Sequence, residues 1–371
     1  MSLILVAWLG AVTSVCGWAL LAGPPAARPP AEGSLRLVIV RPCAGPEPEL
    51  QRCLASWPVL REGHLAGAIF AVGEVDDPAL PAAETAAARL RTRGVDARVV
   101  VTSAEGPNHK ASQLAVAVDG AGEVDVIVVA DSDVDLEGLD LGALVDPIAA
   151  DARVAACWAP PVELGVARTW GDRASQALLG ASLHAFPVLA RLDRRGMVGK
   201  LVALRRSSLA AVGGFASLTG VLGEDMELAR RFARRGEEVA VAPIVAPSLA
   251  SGRDLRGALS RYTRWISVIR RQRPALLASY PLLFAATPLM VPLALAAGAP
   301  WIAGAAVALR FSVARLAQSA CGRRRSLAGT LLEAVLADAL LLAAFAHALA
   351  SPRVVWRGAR LRVLAGGRLT G

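Results

Sequence analysis

The stretch Val126 to Asp133, VIVVADSD, constrains this chain more than any other. An unbroken run of β-branched apolar residues reads as a strand buried on both faces, and such strands belong in parallel sheets covered by helices. The run stops at Asp131-Ser132-Asp133, so it delivers two carboxylates to the carboxyl rim of the sheet, where a divalent cation can be held against a pyrophosphate. Asp and Ser are also ordinary loop residues after a strand, and the tripeptide alone is a weak signal. Its weight comes from the order of the motifs downstream. Gly223-Glu224-Asp225 opens a helix, Arg261-Tyr262-Thr263-Arg264-Trp265 lies on another, and apolar segments long enough to enter a bilayer come next.

Around this strand the chain alternates short apolar runs with helical patterns between Ser34 and Ala242, the signature of an α/β fold. Strands are expected at Leu35 to Val40, Ala66 to Val72, Ala97 to Val101, Val126 to Asp131, Val154 to Trp158 and Lys200 to Arg205. Helices are expected at Glu47 to Ser56, Pro81 to Arg91, Lys110 to Val118 and Gly223 to Arg235, and as one weakly amphipathic helix at Ala174 to Leu192. In such a sheet ligands sit beyond the carboxyl ends of the strands, which gathers Arg41, Asp76 and Asp77, Asn108 and Lys110, and Asp131 and Asp133 at one crevice. Glu224 and Asp225 sit where the helix dipole favours anions, which also suits a simple N-terminal cap. His184, on an apolar face, reads as a packed histidine. The helix around it could lie on a bilayer surface and help admit a lipid.

The 371 residues are 54% hydrophobic and carry a formal charge of +9. That is too apolar for a purely soluble protein, and Ser2 to Ala22 is uncharged over about the ~20 residues a spanning helix requires. No basic residue precedes it, while Arg28, Arg36 and Arg41 come after, so residues 1–24 read as an uncleaved anchor with the rest on the cytoplasmic side. Residues 25–33 form a stiff Pro-rich linker, residues 34–252 the catalytic domain, and residues 253–273 a basic helix. On that helix Arg261 and Arg264 share a face beside Trp265, suited to gripping a phosphate or to resting on lipid headgroups.

Residues 274–350 hold two to three membrane segments: Ala275 to Leu295, broken by Pro281, Pro288 and Pro292, then Ala296 to Leu316, then Leu327 to Ala350. The third would export the basic tail 351–371 against the positive-inside rule, so the side on which the tail lies stays open. Arginine clusters beside such segments point to anionic lipid, not to nucleic acid. Five cysteines without a Cys-x-x-Cys pair indicate neither a zinc site nor a disulfide framework.

The ordered set RPCAGPEPEL, VDDPAL, GPNHKASQL, ADSDVDL, GKLVALRRSSLAAVGGF, GEDMELARR and RYTRW resembles the ceramide glucosyltransferase family of membrane-anchored GT-A glycosyltransferases, with its bacterial and hopanoid-pathway relatives. The resemblance implies a GT-A domain with a Rossmann-like mixed sheet, between N-terminal and C-terminal transmembrane helices. It implies a multi-pass protein of the cell inner membrane whose catalytic domain faces the cytoplasm. Its partners would be a UDP-sugar and a ceramide-like acceptor, and its cofactor Mg²⁺ or Mn²⁺.

By the same resemblance Asp76 and Asp77 serve the nucleotide, Asp131 and Asp133 the metal and diphosphate, and Asp225 acts as general base. Arg261, Arg264 and Trp265 form the R-x-x-R-W element. Asn108 and Lys110 match the family's N-x-K turn, whereas His109 and Gln113 depart from it at positions where proline and asparagine are common. Hopanoid or diacylglycerol acceptors, a processive polysaccharide synthase and a non-catalytic nucleotide- or lipid-binding protein are the other readings.

Overall fold

The computed structural model describes residues 1–21, 34–103, 105–183, 185–192, 195–323, 325–356 and 359–370. The linker at 25–33 and His184 lie outside them. The α/β body begins with β1 (Arg36–Cys43), α2 (Leu50–Ala55), β2 (Leu65–Val72), α3 (Leu80–Thr92), β3 (Ala97–Val101), α4 (His109–Asp119) and β4 (Val126–Ala130), preceded by the apolar helix α1 (Ser2–Leu21). It continues through α5 (Gly142–Ala150), β5 (Val154–Trp158), β6 (Pro161–Glu163), α6 (Trp170–Ala181), α7 (Ala185–Leu192), β7 (Leu201–Arg205) and α8 (Arg206–Ala211). It closes with α9 (Glu224–Arg234), β8 (Glu238–Val241), β9 (Ala246–Ser248) and α10 (Leu255–Gln272).

Seven strands form one sheet in the order β3-β2-β1-β4-β7-β5-β8. All neighbours are parallel except β7, which runs antiparallel to both β4 and β5. The architecture is mixed α/β with a mainly parallel sheet. All five residues of β4 are buried, as its unbroken apolar run requires. Chain order reverses between β1 and β4, and a reversal of this kind opens a crevice beyond the strands' carboxyl ends.

β1 runs further than its apolar run, through Arg41, Pro42 and Cys43. Proline is tolerated there because β4 pairs only with Leu37 to Val40, so the missing N–H of Pro42 faces no partner strand.

Two separate helices occupy the stretch expected to be one, and α6 is no surface helix. Thr169 and Asp172 form a capping box that starts α6 four residues early. The guanidinium of Arg310 donates to the carbonyl of Ala181 at its other end. Nearly every residue of α6 is buried, beneath α10 and beneath α12 (Pro300–Ala320) and α13 (Leu327–Ala350).

By length and composition two helices could cross a membrane, at Ser2–Ala19 and Leu327–Ala350. The segments Pro274–Phe284 and Thr287–Ala296 meet at a 59° bend and together could make a third. The interruption falls at the prolines, as their missing donors demand. α12 occupies the middle candidate but carries Arg310, which is buried and paired to Asp338 on α13.

α13 lies along α6 and α10, tethered near both ends to the α/β body. Glu333 binds Arg323, which reaches the carbonyl of Gln176 on α6, while Arg270 on α10 donates to the carbonyls of Ala348 and Leu349. The tail after α13 therefore returns to the α/β body. Its strands β10 (Arg353–Trp356), β11 (Ala359–Val363) and β12 (Leu369–Thr370) pack Val354, Leu361, Val363 and Leu369 against Leu222 and Val268.

Candidate active site

At the crevice between β1 and β4 a cavity of about 590 Å³ runs from the sheet rim to the start of the bent segment. Its polar end is lined by Pro42, Glu47, Lys110, Asp131, Asp133 and Lys200, its middle by Gly199, Glu224 and Asp225, and its apolar end by Phe186, Trp265, Leu276 and Tyr280. Elements that lie far apart in the chain thus meet at one hollow.

The carboxylates are interleaved with two ammonium groups. Lys110, on the first turn of α4, lies 2.8 Å from Asp131 and 3.4 Å from Glu224, and donates to the carbonyl of Gly199 at 2.9 Å. Burial alone would lower its pKa, but Asp131 and Glu224 more than reverse this, so Lys110 stays charged above its usual range. Lys200, at the foot of β7, lies 2.6 Å from both oxygens of Asp133 and 3.7 Å from Asp131. Ser248 donates to Asp133 as well, at 2.9 Å. Burial pushes the Asp133 carboxyl up, and Lys200 overrides it and holds the group down at about 2. Lys200, Ser248 and Glu47 are the contributions that sequence reasoning missed, although Lys200 stands in the Gly-Lys pair that opens β7.

Asp225 lines the same cavity as the charged residues of the sheet rim and the aromatic residues Phe186, Trp265 and Tyr280. Gly223 takes a left-handed conformation at φ 74° and turns the chain into α9, so that Asp225 falls in the first turn. One oxygen accepts from the N–H of Gly199 at 2.7 Å and the other from the N–H of Met226 at 2.8 Å. Burial, reinforced by neighbouring Glu224, raises its pKa to about 6. A carboxylate fixed by two backbone donors and titrating near neutrality is suited to receiving a proton. Glu47 is likewise raised to about 7, first by burial and then by Asp133.

Other expected residues stand behind the cavity. Arg41 is fully buried and its guanidinium is occupied by the carbonyls of Cys53, Asp131 and Val134. It braces the Asp131–Asp133 turn from below and does not line the cavity, contrary to its expected place beside the nucleotide. Asn108 caps α4 through the N–H of Ala111 and donates to the carbonyl of Val221 and to Glu224. It positions Glu224 and is itself covered. Asp77 accepts from the N–H groups of Gly45 and Ala79, tying together the loops after β1 and β2, while Asp76 is exposed. Neither lines the cavity. Arg261, Arg264 and Trp265 do line it, but Arg261 is ion-paired to Glu163.

Carboxylate oxygens suit a hard cation such as Mg²⁺ or Mn²⁺. Asp131 offers one to the cavity, whereas Asp133 has both oxygens engaged by Lys200 and Ser248. Among the described residues no group of three possible metal-ligating side chains could hold an ion unaided. The donor set therefore fits a cation that shares its coordination with oxygens of a bound diphosphate.

A mannosyltransferase from Pyrobaculum calidifontis, solved with GDP-mannose and Mn²⁺, is similar at 19% identity and TM-score 0.47, over 93% of this chain and 99% of that one. Glucosyl-3-phosphoglycerate synthase from Mycobacterium tuberculosis, solved with Mn²⁺, UDP and its product, is similar at 16% identity and TM-score 0.37, over 63% of this chain and 79% of that one. No match was found among curated protein sequences. The sequence model of glycosyl transferase family 21 matches residues 1–369. With that match running through every element that lines the cavity, from Pro42 to Val355, the chain belongs to glycosyl transferase family 21.

Proposed function

We propose that this glycosyltransferase moves a hexose from a UDP-sugar to the hydroxyl of a membrane lipid with inversion at the anomeric carbon, and that the lipid is a ceramide. The observation that carries the reading is that Asp225 lines one cavity with both a charged set suited to a diphosphate and an aromatic set suited to a lipid. A GT-A arrangement of the sheet agrees with it.

In this mechanism the acceptor oxygen attacks the anomeric carbon and its proton passes to Asp225, whose oxygens are oriented by the N–H groups of Gly199 and Met226. The bond to the diphosphate oxygen breaks with its electron pair, and Lys110 and Lys200 stabilise the negative charge that results. A single carboxylate suffices, and no covalent sugar intermediate is required. Asp131 would hold the Mg²⁺ or Mn²⁺, with Asp133 able to join it where Lys200 turns to the diphosphate, and the ion would neutralise further charge on the leaving group.

Membranes containing the full chain, incubated with a panel of UDP-sugars and lipid acceptors, test the reading by mass spectrometry of the products. A hexosylceramide made with UDP-glucose supports it. Transfer only to hopanoid polyols or to diacylglycerol changes the acceptor, and a polymer as product makes the chain a processive synthase.

A further inference from the structure

The catalytic cavity has an annex. A second hollow of about 90 Å³ lies beyond its aromatic end, lined by α6, α7, α10, α13 and the bent segment after Pro274. Phe186, Trp265 and Tyr280 line both spaces, so three rings form the partition between them. Past the partition the wall is made by Leu178, Ile266, Phe284 and Leu341 and their neighbours. A hollow so lined gives a water molecule few partners.

We infer that this annex receives one unbranched hydrocarbon chain of the acceptor while the acceptor's hydroxyl reaches Asp225. The inference rests on reading the site as lipid-glycosylating and adds the place where the lipid is gripped. Three features commit the annex to an alkyl chain. It shares the rings of Phe186, Trp265 and Tyr280 with the catalytic cavity, its wall is apolar, and two of its walls come from segments that could enter a bilayer, the bent pair and α13. At about 90 Å³ it is far below the ~300–1,000 Å³ of pockets that enclose a whole ligand, so it takes one narrow group. Trp265 thereby acquires a role at the threshold, its ring held by an edge contact to Tyr262 at 5.4 Å and by Arg261 at 5.1 Å.

The test uses the full chain in lipid nanodiscs with UDP-glucose and ceramides whose N-acyl chains are lengthened stepwise, plus a ceramide bearing a diazirine at the chain end. The photoprobe should label the peptides that carry Phe284 or Leu341. The specificity constant should rise by up to about fourfold per methylene and level off once the annex is full. Ala185→Phe, which narrows the annex without touching the catalytic cavity, should bring the plateau to shorter chains and leave UDP binding and transfer to the shortest ceramide unchanged. Leu341→Phe tests the opposite wall should the first variant fail to fold. Labelling confined to residues outside the annex, or transfer that does not depend on chain length, overturns the inference. Photolabelling needs no turnover, so transfer to no ceramide at all would overturn the acceptor reading while the labelled residues still decide where a chain binds.

Discussion

Arg261 is ion-paired to Glu163 while its guanidinium lies 5.1 Å over the ring of Trp265. An arginine expected to grip a phosphate is thus already neutralised from behind, and Arg253 approaches the same carboxylate at 3.3 Å. Burial pushes the Glu163 carboxyl up, but Arg261 and Arg253 together hold it below the usual carboxylate range. The pair joins α10 to β6 and so fixes where Trp265 stands. Glu163→Gln should cost about 3–5 kcal/mol, because removing one partner leaves a buried charge uncompensated. Thermal unfolding checks this, and a loss near zero would show that the pair is solvated in the working protein.

Asp225→Asn should leave the fold and UDP-sugar binding in place and lower transfer by about 10² to 10⁴. Turnover near that of the unaltered protein would make Asp225 a helix cap and turn attention to Glu224.

The pH dependence stems from the same residue. With a pKa of about 6, Asp225 loses its capacity to accept a proton as pH falls below that value, so the specificity constant should drop about tenfold per unit in acid. Folding raises this pKa from 3.8, so the folded state binds the proton more tightly and stability falls as pH rises between 3.8 and about 6. Asp225→Asn should therefore melt higher than the unaltered protein at neutral pH, and the difference should vanish toward pH 3.8. An acidic limb that persists unchanged in Asp225→Glu would place the titrating group elsewhere.

Asp133→Ala should destabilise the protein by about 3–5 kcal/mol by stranding Lys200, and should also weaken metal-dependent UDP binding. Asp76→Ala, at an exposed position, should change stability by less than about 0.5 kcal/mol. Calorimetry of UDP binding with and without Mn²⁺ separates the two, and equal metal dependence in both variants would remove the metal from the Asp131–Asp133 turn.

Gly223→Ala should abolish most transfer with the chain still folded. A methyl group there would lie 2.5 Å from Cγ1 of Val268, and the φ of 74° strains any other residue. α9 must then shift, and Asp225 with it. Activity within twofold of the unaltered protein would show that the turn can relax without moving the carboxylate.

Much of the catalytic body was legible because its signals are local. β4 declares itself by an apolar run and Asp225 by the glycine before it, and both stand where the sequence puts them. The ammonium groups were harder to read, since Lys200 meets Asp133 across 67 positions of chain and nothing near either residue announces the other. Arg41 misled for a related reason. A charged residue at a strand end suggests a ligand, and only the packed structure shows three carbonyls converging on it. Membrane segments were read by length and composition, and two of the segments so read, at Ser2–Ala19 and Leu327–Ala350, are helices long and apolar enough to cross a bilayer.

The N–H of Leu222 donates to the carbonyl of Gly367 and the N–H of Leu369 to the carbonyl of Gly220, each at 2.8 Å, so the loop that leads into α9 and Asp225 is framed by residues translated some 150 positions later. A ribosome that has finished the sheet has therefore not yet supplied the residues that frame this turn. The turn that leads into Asp225 acquires its last backbone partners only after α13 has been laid down and the strands behind it have folded back.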